Sequence, residues 1–115
     1  MNPVSKQHPL KQYTWGHAAN AWSLVDEKSL SVKLESMPPG EKELLHYHQY
    51  ARQFFYILKG TASFEIEGEQ TEVREEQGFY IEAKQKHRIM NKGGQALEFI
   101  LCSQPSATED RINLE

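Results

Sequence analysis

One cysteine, Cys102, occurs among the 115 residues, so no disulfide can form within the chain. A small scaffold held together by internal disulfides is therefore excluded. Long apolar runs are missing too. Nothing approaches the ~20 residues a helix needs to cross a bilayer, and no membrane partner is expected. The opening MNPVSKQHPLKQ is polar, carries two prolines and has no apolar core, so it does not read as a signal peptide. With the lack of paired cysteines, this makes a cytoplasmic location the expectation. Excess positive charge is absent: a formal charge of −3 and a pI near 6.0 leave no basic footprint for nucleic acid. There is no internal repeat, no linker, no phosphate-cradling glycine loop and no serine beside a histidine in a familiar nucleophile arrangement.

What remains is a chain of ordinary apolar and charged content, long enough to bury roughly two-thirds of its unfolded surface around one core. The expectation is a single domain over 1–115. Amphipathic helical periodicity is lacking, and short runs of β-branched and aromatic residues recur between turn signals. KSLSVKLESM alternates: Leu30, Val32 and Leu34 share one face, Ser29, Ser31, Lys33 and Glu35 the other. QFFYILKG, TASFEIEG, TEVRE, GFYIEA, KHRIMN and ALEFILCS read as further strands, with EGEQ and NKGGQ as turns. QYTW and AWSLVD upstream add two more. Nine or ten closely spaced strands predict an all-β sandwich or barrel. The tail QPSATEDRINLE fits one helical turn or an edge strand equally well. Cys102, within an apolar run, reads as a buried, inert thiol.

Chemistry concentrates in LLHYHQYARQFFYILKG. Residues i and i+2 of a strand share a face, so His46 and His48 project together. If QYAR (49–52) is a turn, His48 and Gln53 become the first cross-strand pair of a hairpin, with Cβ atoms ~5 Å apart. A third imidazole, His87, shares a face with Ile89 and Asn91. Three imidazoles and an amide oxygen make a mononuclear site with open positions. Inward parity with Gln53 puts Phe55 and Ile57 in the interior beside Phe64 and Ile89, as an apolar pocket lining or as plain core. Arg52, in the turn, is a candidate clamp for a carboxylate or else a solvated arginine. Trp15 and Trp22 are expected to pack the N-terminal strands on the barrel or on a second subunit. His8 and His17 are expected to be exposed, and the acidic EIEGEQTEVREE to be a solvated face.

The spacing Gly40, five residues, His46-Tyr47-His48, four residues, Gln53, six residues, Gly60 resembles the first motif of the cupin superfamily, which usually has glutamate where Gln53 stands. Residues 76–91 resemble the second motif, ending in His87, three residues and Asn91. Glu76 replaces its leading glycine, with Gly78 nearby, and Glu82 and Lys84 replace its usual proline and glycine. The resemblance covers roughly 25–105, with 1–24 as added N-terminal strands. It implies a double-stranded β-helix, or jelly-roll barrel, with His46, His48, Gln53 and His87 converging inside one mouth. It also implies pairing of subunits through an outer β face, so a homodimer is expected.

Glutamine in place of glutamate leaves a divalent ion its full charge. Affinity for Mn²⁺ should fall, and three imidazoles bias the site toward Zn²⁺, Ni²⁺, Cu²⁺ or Fe²⁺. A bound ligand is then polarised more strongly. Two functions follow. The first is a metal-dependent cupin acting on or recognising a small organic molecule, with dioxygenation, isomerisation and cyclisation as candidate chemistries. The second is a non-catalytic module holding a sugar or carboxylate, with or without metal.

Overall fold

The computed structural model describes residues 2–107 and 109–115. Among the described residues there is no helix, and eleven strands form two antiparallel sheets. The chain runs β1 (Lys11–Trp15), β2 (Ala19–Asp26), β3 (Ser31–Met37), β4 (His46–His48), β5 (Arg52–Lys59), β6 (Ala62–Ile66), β7 (Glu69–Val73), β8 (Gly78–Ile81), β9 (His87–Met90), β10 (Leu97–Gln104) and β11 (Arg111–Asn113). One sheet has the order β1-β2-β3-β10-β5-β8, the other β11-β4-β9-β6-β7. This is the all-β double-stranded β-helix expected from the sequence. The ambiguous tail resolves as an edge strand: β11 lies beside β4, with Arg111 opposite His48 and Asn113 opposite His46.

Between the sheets lies an apolar core that includes Met37, Phe55, Ile57, Phe64, Ile81, Ile89, Leu97 and Phe99. Phe55 meets Phe64 edge-on at 5.0 Å, and Phe64 stacks on Phe79 at 4.7 Å. Such ring pairs add to the gain from burial. Along β5 burial alternates strictly, Gln53, Phe55 and Ile57 inward and Phe54, Tyr56 and Leu58 outward, although the run is apolar on both faces.

β3 has its polar face turned inward. Antiparallel strands ordinarily direct the apolar side to the core. Here Ser31, Glu35 and Met37 are buried, and Glu35 stands between Ala21 of β2 and Phe99 of β10. Leu34 sits on the outer face beside Trp22 and Ile100. The inversion is possible because β2 offers only Ala19, Ala21 and Ser23 to the interior. Those small side chains leave space for long polar ones.

The β1–β2 hairpin turns at Gly16, whose φ of 59° is left-handed. A Cβ there would come 2.6 Å from Oε1 of Glu41, so glycine is required twice over. The Glu41 carboxylate accepts hydrogen bonds from the amides of His17 (3.2 Å) and Ala18 (2.9 Å). The hairpin tip is thereby fixed against the barrel rim, with Trp15 beneath it. Trp22 packs on the outer face under the ammonium of Lys6, 4.7 Å from its ring centroid.

The second motif departs from glycine at two positions, and both adopt backbone that glycine enters most easily. Glu76 (φ 64°) and Lys84 (φ 72°) both occupy the left-handed region. Each pays the steric cost that the family's glycines avoid. Lys84 also donates its amide to the His48 carbonyl at 2.7 Å, so its turn helps fix β4. Asn91, fully buried, donates to the carbonyls of Met37 and Gln95, both at 2.9 Å, and its role is to tie loops together.

Candidate metal centre

β4 and β9 are neighbours, with His46 directly opposite His87. His48 shares the inner face of β4, and the three rings gather with centroids 4.3–5.8 Å apart. One ring nitrogen from each lies within 4.8 Å of the other two. The remaining nitrogens explain why the rings hold still. Nδ1 of His46 lies 2.8 Å from the carbonyl of Leu44, and Nδ1 of His87 lies 2.8 Å from that of Gln85. Nδ1 of His48 lies 2.9 Å from Oδ1 of Asp110. A carbonyl oxygen can only accept, and so can a carboxylate, so each Nδ1 carries the proton. Every Nε2 is left with a bare lone pair. Fixing the tautomer through the outer nitrogen is how proteins prepare histidines for a metal.

The three imidazoles are buried and kept neutral. Burial drives His46 down to about 4, with His87 and Arg111 adding to the effect and Glu43 opposing it. His48 and His87 are lowered as well, chiefly by burial, while Asp110 pulls the first upward and the Gln85 carbonyl the second.

Gln53 arrives by a different route from the expected hairpin. β4 and β5 belong to different sheets, so His48 and Gln53 are not a cross-strand pair. Residues 49–51 carry the chain across the barrel. They are held by Asp110, which accepts from the amides of Tyr50 (2.9 Å) and Ala51 (2.8 Å). Gln53 instead pairs with Ser103 of β10 and Ile81 of β8. Its Nε2 donates to Ser103 Oγ at 3.0 Å, which leaves Oε1 buried without a partner. Nε2 of His87 is likewise buried and unpartnered. Orphaned buried acceptors cost roughly 1–3 kcal/mol each, and a cation would satisfy both. The donor set, three neutral imidazoles and an amide oxygen, fits a divalent transition ion.

His46, His48, Gln53 and Phe55 open onto a pocket of about 650 Å³, walled by β1, β3, the 41–44 segment and β11. Of the other pocket residues expected from sequence, Ile57, Phe64 and Ile89 lie in the closed apolar core, because the barrel fills below Phe55. Arg52 points away from the centre. Its Nε donates to Gln104 at 2.9 Å, on the outer side near Phe54 and Tyr80. Trp15 packs against the barrel core, as expected, and also lines the pocket. Cys102 is half-buried on the outer face rather than in the core, since its neighbours Ser103 and Leu101 take the inward positions, and partial burial raises its thiol pKa.

Three residues that sequence reasoning missed complete the site. Asp110 orients His48. Burial alone would raise its carboxyl, but the Tyr50 and Ala51 amides and His48 outweigh this and hold it low. Arg111 reaches Glu43 at 3.2 Å across the pocket wall. Glu35 is buried there with its pKa raised to about 7, by desolvation first and Glu43 second, against Lys33, Trp15 and Arg111. No spacing rule links residues 35, 48 and 110; only the register of β3, β4 and β11 does.

The family model of the cupin domain matches residues 33–103. This chain is a cupin. It is 36% identical over 69 residues to an uncharacterised protein of Methanocaldococcus jannaschii, a match covering 60% of this chain and 55% of that one. The chain spans about half the length of the curated relatives it matches first. The structure of KdgF from a Halomonas species superposes with a TM-score of 0.78 over 90% of this cupin and 93% of that chain, at 16% identity. A cupin from Silicibacter pomeroyi, described as a sugar phosphate isomerase, superposes with a TM-score of 0.70 over 76% and 60% of the two chains, at 18% identity. Likeness at these identities carries the fold. The β1–β2 hairpin and the β11 edge lie outside the family match, yet both wall the pocket.

Proposed function

We propose that this cupin holds one divalent transition ion through His46, His48, Gln53 and His87 and acts as an enzyme on a small organic anion admitted at the barrel mouth. One observation carries the reading: three imidazoles each have Nδ1 committed to an acceptor, which aims bare Nε2 atoms at one another, and a buried amide oxygen has no partner. A divalent ion would satisfy the buried, unpartnered Nε2 of His87 and Oε1 of Gln53 together. When bound, the ion supplies Lewis acidity, stabilising negative charge that develops on a substrate oxygen. The ligands are neutral, so its charge is not offset by them. This favours redox-neutral chemistry such as isomerisation or cyclisation over dioxygenation. The isomerase name carried by one structural neighbour points the same way.

Elemental analysis of untagged protein, compared with a His46→Ala/His48→Ala variant, tests the reading. Near-stoichiometric Zn²⁺, Ni²⁺ or Fe²⁺ that is lost in the variant supports it. No uptake by either protein after reconstitution abandons it. Gln53→Glu probes the fourth ligand: Mn²⁺ and Fe²⁺ should bind more tightly, and unchanged affinity would remove Gln53 from the coordination sphere.

We further propose that two copies pair through the outer face of the six-stranded sheet. Register places Leu34, Ile100 and Tyr56 in one row and Val32, Cys102, Phe54 and Tyr80 in the next. Phe54, Tyr56 and Tyr80 are 43%, 36% and 49% exposed. These two rows are uncharged, so they suit a second copy of the same face better than a partner chosen by charge.

A further inference from the structure

The pocket above the histidines contains charged groups whose partners can be traced one by one. Glu41 is committed to the amides of His17 and Ala18. Glu43 accepts from the Ile89 amide at 3.1 Å and pairs with Arg111 at 3.2 Å. Lys11 pairs with Asp26 at 3.4 Å. Lys42 and His17 sit exposed at the rim. Two groups are left over, and both come from the inverted face of β3. Glu35 is only 7% exposed and makes no ion pair among the described residues; the Trp15 indole N–H faces its carboxyl outside ordinary hydrogen-bond geometry. Among the described residues no carboxylate lies within ion-pair distance of Lys33; its ammonium rests over the Tyr13 ring, 5.3 Å from the centroid.

The strands flanking Glu35, β2 and β10, present only Ala21 and Phe99 beside it. The charged or titratable groups that face it are Lys33 on its own strand, Glu43 from the 41–44 segment and Arg111 from β11, with the Trp15 indole of β1 also near. Tyr13 and Lys11 line the same wall from β1. A buried carboxyl that holds no ion pair and no backbone amide among the described residues, in the cavity onto which a candidate Lewis-acid site opens, has the form of a proton carrier. An unpaired ammonium two residues away on the same face has the form of an anion anchor.

We propose that Glu35 is the acid–base group of this pocket and that its substrate is a small carbonyl compound bearing a carboxylate, which Lys33 holds. The inference rests on the metal reading above, which supplies the centre that the carbonyl oxygen faces. As carboxylate, Glu35 removes the proton from the carbon next to the carbonyl. The electron pair of the broken C–H bond becomes a carbon–carbon double bond, and the carbonyl π pair moves onto oxygen. The proton, now on Glu35, is returned to a carbon of the substrate as that double bond is consumed, and the carboxylate is restored. No oxidant or co-reactant enters. A group that ionises close to neutral pH is matched to both directions of transfer, and burial with Glu43 nearby places Glu35 there, at about 7.

Three measurements on the full chain test this. In metal-free protein, infrared titration should show a protonated carboxyl band that disappears as pH rises through about 7 and is missing in Glu35→Gln. In zinc-loaded protein, solvent deuterium should enter the methyl group of pyruvate. Exchange should fall by about 100-fold or more in Glu35→Gln, with partial rescue by Glu35→Asp. Lys33→Met should raise the pyruvate concentration needed for half-maximal exchange by about 10-fold, with the limiting rate retained. Zinc titrations of all the variants should match the parent. The proposal is overturned by a Glu35 carboxyl that ionises in the ordinary acidic range, by equal exchange in Glu35→Gln, or by no exchange in the zinc-loaded parent. Failure of the parent to bind zinc instead sinks the metal reading, so the two failures are distinguishable.

Discussion

At the scale of single residues, the centre depends on groups that would never touch an ion. Asp110 fixes His48 through Nδ1 and carries the crossover amides as well. Asp110→Asn keeps the shape but lets the ring sample the wrong tautomer. Zinc affinity should drop by about 10- to 100-fold, as read by competition with a chromophoric chelator. Retained affinity would make Asp110 a purely structural clamp. Glu35 gives a second prediction, with a sign set by linkage. Its folded pKa, about 7, lies above the ordinary carboxyl value of 4.5, so the folded protein binds more protons between those limits. The contribution of Glu35 to stability therefore falls as pH rises from about 4.5 to 7 and stays low above. Glu35→Gln should stabilise metal-free protein at pH 8 by up to about 3 kcal/mol and by much less at pH 5. Denaturant unfolding at the two pH values checks this, and an equal effect at both would refute it.

At the scale of elements, short turns decide where the ligands stand. Glu76 and Lys84 hold left-handed backbone at positions where the cupin motif usually has glycine. Left-handed geometry costs a side-chain-bearing residue roughly 1–2 kcal/mol, partly offset by the extra unfolded-state freedom of glycine. Glu76→Gly, which removes a side chain that makes no hydrogen bond or ion pair among the described residues, should therefore raise stability by about 0.5–1 kcal/mol. A lowered thermal midpoint would show that the Glu76 side chain contributes more than its backbone costs. The strands themselves were legible from alternation and turn residues. The sheet to which each belongs was not. The 49–52 segment reads as a hairpin turn because four polar or small residues between two β runs suit one. Asp110, 60 residues away, captures its amides and sends β5 into the other sheet. β11 escaped assignment for a related reason: three exposed residues carry no periodicity, and β11 becomes a strand by pairing with β4.

At the scale of the molecule, the two faces of the larger sheet divide the work. The inner face carries the core and one pocket wall, and the outer face carries the aromatic rows proposed to meet a second copy. Sedimentation should give a dimer, and Tyr56→Lys, whose side chain is 36% exposed and outside the core, should give a folded monomer with its metal affinity intact. A monomeric parent would discard the pairing. The histidines that gather at the candidate centre, the all-β class and the cupin barrel were legible in the sequence, because side-chain type and period-two patterning are local properties that any strand exhibits. The tertiary structure alone decided that the polar side of β3 faces inward, that Gln53 approaches from the opposite sheet, and that Asp110 and Arg111 return to the site. Each of these depends on which strands become neighbours and on how much room the facing side chains leave, and neither quantity is written in any one segment of the chain.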